Sequence, residues 1–240
     1  MNRIVKLTGR LAFGLFLISS VANLLGVYFG WHILAVCAKP LIVSSLALHC
    51  WALLRENSVG GSGLLFLMLA MTFGTLGDIL LIFNGQGFFL AGLLAFLVGH
   101  FFYFLTIDFR VVQPAPVLSL RMLLLYALMS FMIVTAQLFG VKGVLGMCVS
   151  VYACAFAFCV HAAIMAAVDT KSRNYLWTIV GYVLFIISDS ILATGVFTDI
   201  KIPKRGFLVM LTYILAQLLI AVSLTWEEIR KHNAIKTSSN

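Results

Sequence analysis

Apolar residues fill eight long blocks, and polar residues are confined almost entirely to the short breaks between them. The blocks run over 11–30, 32–54, 63–83, 87–107, 117–139, 143–168, 174–197 and 206–226. Each is close to the ~20 residues that cross a bilayer as a helix. A helix satisfies its own backbone in hydrocarbon, where no water can do so. The pattern therefore predicts an all-α polytopic membrane protein with eight transmembrane helices in one domain over 1–229. The short breaks favour antiparallel sequential neighbours. The tail at 230–240 is polar and is expected to fray in solvent.

Composition agrees with the block pattern: 62% of the 240 residues are hydrophobic and 10% are charged. A soluble domain is nearer half apolar and a quarter charged. The formal charge of +8 does not point to nucleic acid, because the basic residues lie between blocks and not along one stripe. Arg3, Lys6 and Arg10 precede the first block as they would a signal peptide. The block is as long as a span and no small-residue cleavage site follows a short core, so it reads as a retained first helix.

Basic residues also predict orientation. Eleven lie at the amino terminus, after the second, fourth and sixth blocks, and in the tail: Arg3, Lys6, Arg10, Arg55, Arg110, Arg121, Lys171, Arg173, Arg230, Lys231 and Lys236. Four lie on the other side: Lys142, Lys201, Lys204 and Arg205. Both termini are expected in the cytoplasm and the protein in the inner cell membrane. Trp51, Trp177 and Trp226 near the inner ends and Trp31 near an outer end fit interfacial anchors. "LGDILL" in the third block and "ISDSIL" in the seventh suggest a 4+4 parallel internal repeat.

Charge inside the blocks is rare and therefore informative. Lys39, Asp78 and Asp189 alone sit well within them. An ionised group in hydrocarbon costs several kcal/mol, so such residues face a protein interior or a wet cavity. At ~1.5 Å rise per residue, all three fall roughly 8–12 Å below the outer end of the apolar span. Tyr152 and Tyr213 fall near the same layer, and Gln217 shares a helix face with Tyr213. His100 and Tyr103 share a face but lie deeper. Gly74 and Gly77 near Asp78 permit close helix approach or leave room for a ligand, and Pro40 is placed to kink the second helix beside Lys39. A structural ion pair among the three charged residues, and simple hydrogen-bond roles for the tyrosines, are the alternatives to a functional cluster.

Other chemistry finds no support. HExxH, Walker and GxSxG motifs are absent. His32, His49, His100, His161 and His232 stand in separate segments without metal spacing, so no metal or other cofactor is expected. Cys37, Cys50, Cys148, Cys154 and Cys159 all lie in apolar blocks and read as small hydrophobes. "GVYFG" at 26–30 offers a packing face better suited to contacts within the chain than to an oligomer, whose state is left open.

An ordered set of short motifs resembles the lysoplasmalogenase family, the YhhN-like integral membrane proteins. It comprises "KPL" at 39–41, "GDILL" at 77–81, "FLVGHFFY" at 96–103, "SDSILA" at 188–193 and "YILAQLLIA" at 213–221. The resemblance implies an eight-helix fold and hydrolysis of the vinyl ether bond of lysoplasmalogens, giving a fatty aldehyde and glycerophospho-ethanolamine or -choline. The family's motif positions fall on Lys39, Asp78, His100, Tyr103, Asp189, Tyr213 and Gln217.

Vinyl ether cleavage suits two carboxyl groups. Protonation of the outer alkene carbon leaves an oxocarbenium ion, which water attacks to give a hemiacetal. One group donates a proton and another accepts one from water, as two carboxylates do in glycosidases. The sequence leaves open which of Asp78 and Asp189 is the acid. It also leaves open whether Lys39 tunes an aspartate or binds the lipid phosphate. The same residues would serve a proton-coupled transporter, or a purely structural membrane protein.

The charge bias makes a direct prediction. In a cysteine-free background, Lys201→Cys is expected to react with a membrane-impermeant maleimide on intact cells, and Lys236→Cys only after permeabilisation. The opposite pattern would invert the orientation.

Overall fold

A computed structural model of the chain describes residues 2–107, 119–138 and 143–238. Arg110 and Lys142, used above for orientation, and the predicted bounds at 117 and 139 lie outside these residues. Eight helices are described: α1 (Asn2–Phe29), α2 (His32–Glu56), α3 (Ser62–Leu80), α4 (Gln86–Thr106), α5 (Leu120–Leu138), α6 (Gly143–Thr170), α7 (Arg173–Phe197) and α8 (Arg205–Ser238). Seven are long and apolar enough to cross a membrane; the described apolar run of α5, Leu120–Phe131, is shorter. No strand occurs among the described residues.

The outer face of the bundle is apolar, as a lipid solvent demands, and the buried polar residues lie within a largely apolar core. Ile4, Leu11, Ile18 and Val21 of α1 are exposed, as are Leu176, Val180, Val183 and Ile187 of α7. Asn23, Asp78, His100, Gln217 and Glu227 are buried. Sequential helices pack as hairpins, α1 on α2, α3 on α4, α5 on α6 and α7 on α8. The hairpins meet where α2 and α3 touch α8, α4 touches α6, and α6 touches α7.

Small residues set the closest of these approaches. A Cβ at Gly99 would stand 3.0 Å from the Ala70 carbonyl oxygen, so α4 lies against the backbone of α3. One at Gly181 would stand 3.1 Å from the Ala216 carbonyl oxygen and 2.7 Å from Ile220, which fixes α7 on α8.

α2 continues through Pro40, whose carbonyl accepts a hydrogen bond from Ser44 Oγ at 2.7 Å. One local expectation is revised: over its described residues the tail is not frayed, because α8 continues to Ser238. Side-chain pairs one turn apart, Glu227 with Arg230 and Glu228 with Lys231, support it. Lys231 Nζ also donates to the Thr106 carbonyl at 2.8 Å, docking the tail on α4. Lys236 in the last turn complements the helix dipole.

The end of the bundle that carries both termini is fastened by buried polar contacts. Glu227 is 1% exposed and accepts hydrogen bonds from Ser172 Oγ at 2.6 Å, Asn174 Nδ2 at 3.0 Å and Arg230 Nε at 3.0 Å. Thr178 and Ser223 pair at 2.8 Å one turn further in. These join the start of α7 to α8.

Overpacking the α3–α4 contact tests this arrangement. Gly99→Leu is expected to destabilise by about 1–3 kcal/mol, seen as a lowered melting temperature in detergent. An unchanged melting temperature would mean the helices are not in backbone contact.

Candidate active site

The end opposite the termini holds a cavity of about 570 Å³, walled by α2, α3, α4, α7 and α8, with Leu145 contributed by α6. Lys39, Asp78 and Asp189 all line it. Three helices therefore deliver the three intramembrane charges to one space, as their common depth implies. The rest of the wall is largely apolar, including Leu81, Phe89, Phe96, Leu192 and Val209.

The two carboxylates have different companions. Asp78, 1% exposed, lies on the last full turn of α3 and faces α2 and α8. Lys39 Nζ of α2 stands 3.8 Å from its Oδ1, and Tyr213 Oη of α8 donates to Oδ2 at 2.7 Å. Tyr213 Oη in turn accepts from Gln217 Nε2 at 3.4 Å, and Tyr103 Oη of α4 donates to Gln217 Oε1 at 3.3 Å. A buried chain of polar groups thus runs from Tyr103 through Gln217 and Tyr213 to Asp78. Asp189 of α7 accepts a hydrogen bond from Tyr152 Oη of α6 at 2.8 Å. Among the described residues no cation pairs with Asp189.

His100 lies one layer behind the cavity. Its ring is 4.4 Å from that of Phe156 and 4.7 Å from that of Phe185, with Tyr152 and Tyr182 farther out at 6.3 and 5.7 Å. Nδ1 of His100 is buried without a hydrogen-bond partner among the described residues. His100 touches neither carboxylate, so it shapes the aromatic wall behind Tyr152. Tyr103 and Gln217 connect to Asp78 through Tyr213 and do not line the cavity.

Gly77 makes room for protein and not for a ligand: a Cβ there would stand 2.8 Å from the Phe96 ring. Phe96 and Phe185 pack on Tyr213, with centroids at 6.0 and 5.4 Å, and hold its hydroxyl toward Asp78. These two rings, and Ser188, whose Oγ donates to the Val209 carbonyl at 3.0 Å, were not singled out by sequence. Phe96 and Ser188 open two of the motifs quoted above, and that position was their only signal. Asn84, Gly85 and Gln86 of the α3–α4 turn also line the cavity. Among the described residues no group of three or more His, Cys, Asp and Glu could hold a metal ion.

The fold and site define an integral multi-pass helical membrane protein with a largely apolar pocket that gathers three charged side chains among its helices. Residues 34–224 match the YhhN family, and the chain belongs to that family. It is similar to the proteins named lysoplasmalogenase TMEM86A of Homo sapiens and of Bos taurus, 32% identical to each over 161 residues. The match covers 65% of this chain and 64% of each relative, just under two thirds of the relatives' length. No solved structure matches the chain.

Removing the Tyr213 hydroxyl tests the polar chain. Tyr213→Phe leaves buried Asp78 and Gln217 short of a partner and is expected to destabilise by about 1.5–3 kcal/mol. Tyr126→Phe, at an exposed tyrosine, is expected to change nothing. Equal melting temperatures for the two variants in detergent would contradict the chain.

Proposed function

We propose that the protein is a membrane-embedded hydrolase that cleaves the vinyl ether bond of lysoplasmalogens, releasing a fatty aldehyde and glycerophospho-ethanolamine or -choline. The observation that carries this reading is the pairing of two carboxylates with unequal companions on one cavity. Membership of the YhhN family and the names of the relatives support it. The cavity volume falls within the range usual for small-molecule sites, roughly 300–1,000 Å³.

The chemistry divides between the aspartates. Asp189, with a tyrosine hydroxyl and no cation among the described residues beside it, carries the proton and delivers it to the outer alkene carbon. Asp78 is ionised by Lys39, since a nearby opposite charge favours the charged form. It stabilises the oxocarbenium ion and takes a proton from the attacking water. The hemiacetal then collapses. Its hydroxyl proton returns to Asp189, and Asp78 gives its proton to the departing glycerol oxygen. Both groups end in their starting states, and one water has been consumed.

In this reading α5 also crosses the membrane and brings the spans to eight, both termini are cytoplasmic, and the cavity faces the outer leaflet. A single-chain lipid enters sideways, with its tail along the apolar wall and its head group toward Asn84 and Gln86. The packing of α2 on α8 and of α6 on α4 supports the 4+4 repeat, because a shift of four helices exchanges the two pairs. A proton-coupled carrier would need the cavity to open at the other end as well, where Glu227 ties α7 to α8.

Purified protein in detergent is expected to release aldehyde from a lysoplasmalogen. Asp78→Asn and Asp189→Asn are each expected to slow release by about 10²-fold or more. In heavy water, aldehyde trapped as it forms is expected to carry one deuterium on the carbon next to the carbonyl. Full turnover in both variants would overturn the assignment. Lipid uptake into proteoliposomes without aldehyde would favour the carrier.

A further inference from the structure

A lysophospholipid brings a phosphate, and the cavity described so far has no spare cation to receive it. Lys39 is the one cation among the cavity-lining residues described, and it stands 3.8 Å from Asp78. A phosphate beside that pair would compete for the ammonium that keeps Asp78 ionised. The head group needs a cation elsewhere, within reach of a vinyl ether held at Asp189.

The α7–α8 connection offers Lys201 and Lys204, and the first residue of α8 is Arg205. Lys204 is already engaged: Nζ donates to the Tyr28 carbonyl at 3.0 Å and lies 4.3 Å from the centre of the Tyr28 ring. Arg205 is free. Its guanidinium has no ion pair or side-chain hydrogen bond among the described residues. It lies directly on Gly195 of α7, in the space that a Cβ there would occupy. Leu192 and Val196, which flank Gly195 on α7, both line the cavity. Gly195 is six residues beyond Asp189, which at helical rise is about 9 Å toward the outer end. The extended chain from the outer alkene carbon through the glycerol to the phosphate is of about that length.

We propose that Arg205, lying on Gly195, binds the phosphate of the lysophospholipid and sets the depth at which the vinyl ether meets Asp189. This rests on the hydrolase reading above. The guanidinium presents a planar pair of donors that matches two phosphate oxygens. Over Gly195 the fork lies beside Leu192 and Val196 of the cavity wall and does not itself line the cavity. Lys39 is thereby left to Asp78, which resolves its two possible roles in favour of tuning the carboxylate.

The test separates binding from turnover. A 1-O-alkyl lysophospholipid, whose saturated ether cannot be cleaved by this chemistry, is titrated into detergent-solubilised wild type, Arg205→Gln, Arg205→Lys and Gly195→Leu. Arg205→Gln is expected to weaken binding by about ten- to a hundredfold. Arg205→Lys is expected to recover part of the loss, and Gly195→Leu to weaken binding as the glutamine does. A 1-O-alkylglycerol, which lacks the phosphate, is expected to bind all four proteins alike. In parallel, Arg205→Gln is expected to raise KM for a lysoplasmalogen and to lower kcat as well, because the vinyl ether is no longer held at the depth of Asp189. Unaltered binding of the lysophospholipid to Arg205→Gln, or equal weakening for the phosphate-free ether, would overturn the proposal. Absence of aldehyde from the wild type would overturn the hydrolase reading alone, since the titration still decides the role of Arg205.

Discussion

Lys39 and Asp78, 3.8 Å apart on α2 and α3, are the contact on which the rest of the site depends. An isolated charge in hydrocarbon costs several kcal/mol, so each needs the other and both must turn away from lipid. That requirement fixes which faces of α2 and α3 point inward. Tyr213 on α8 completes the carboxylate's hydrogen bonding and draws a third helix into the contact. Gln217 and Tyr103 extend it to α4. Four helices are thereby oriented about one carboxylate.

Asp189 obeys the same constraint by another route. It has Tyr152 for a partner and no described cation. A buried carboxyl without a counter-charge is accommodated most cheaply as the neutral acid. The unequal companions of the two aspartates therefore follow from where Lys39 lies. In the proposed reaction that inequality divides the acid from the base. The polar lock around Glu227 does complementary work at the other end of the bundle, where it holds α7 and α8 together while the cavity lies open among the same helices.

Much of this was legible in the sequence, because a bilayer leaves few choices. Eight apolar blocks correspond to eight helices. The depths of Lys39, Asp78 and Asp189 follow from helical rise alone, and the cavity joins all three. What linear spacing could not supply is azimuth. Tyr152 and Tyr213 fall at similar depths, and only packing assigns one to Asp189 and the other to Asp78. His100 shares a face with Tyr103, yet an aromatic shell separates its ring from the carboxylates. The fraying expected of the tail missed the bond from Lys231 to Thr106, a contact between residues 125 positions apart. Arg205 reads as one more basic loop residue in the sequence, and only packing lays its guanidinium on Gly195.

The central claim is that one aspartate holds a proton and the other does not, and infrared spectroscopy reads this directly. The carbonyl stretch of a protonated carboxyl group is distinct from that of a carboxylate. In detergent free of ester groups, the wild type is expected to show the protonated band, Asp189→Asn to lose it, and Asp78→Asn to retain it. Loss of the band in Asp78→Asn with retention in Asp189→Asn would reverse the roles. No protonated band in the wild type would contradict the account.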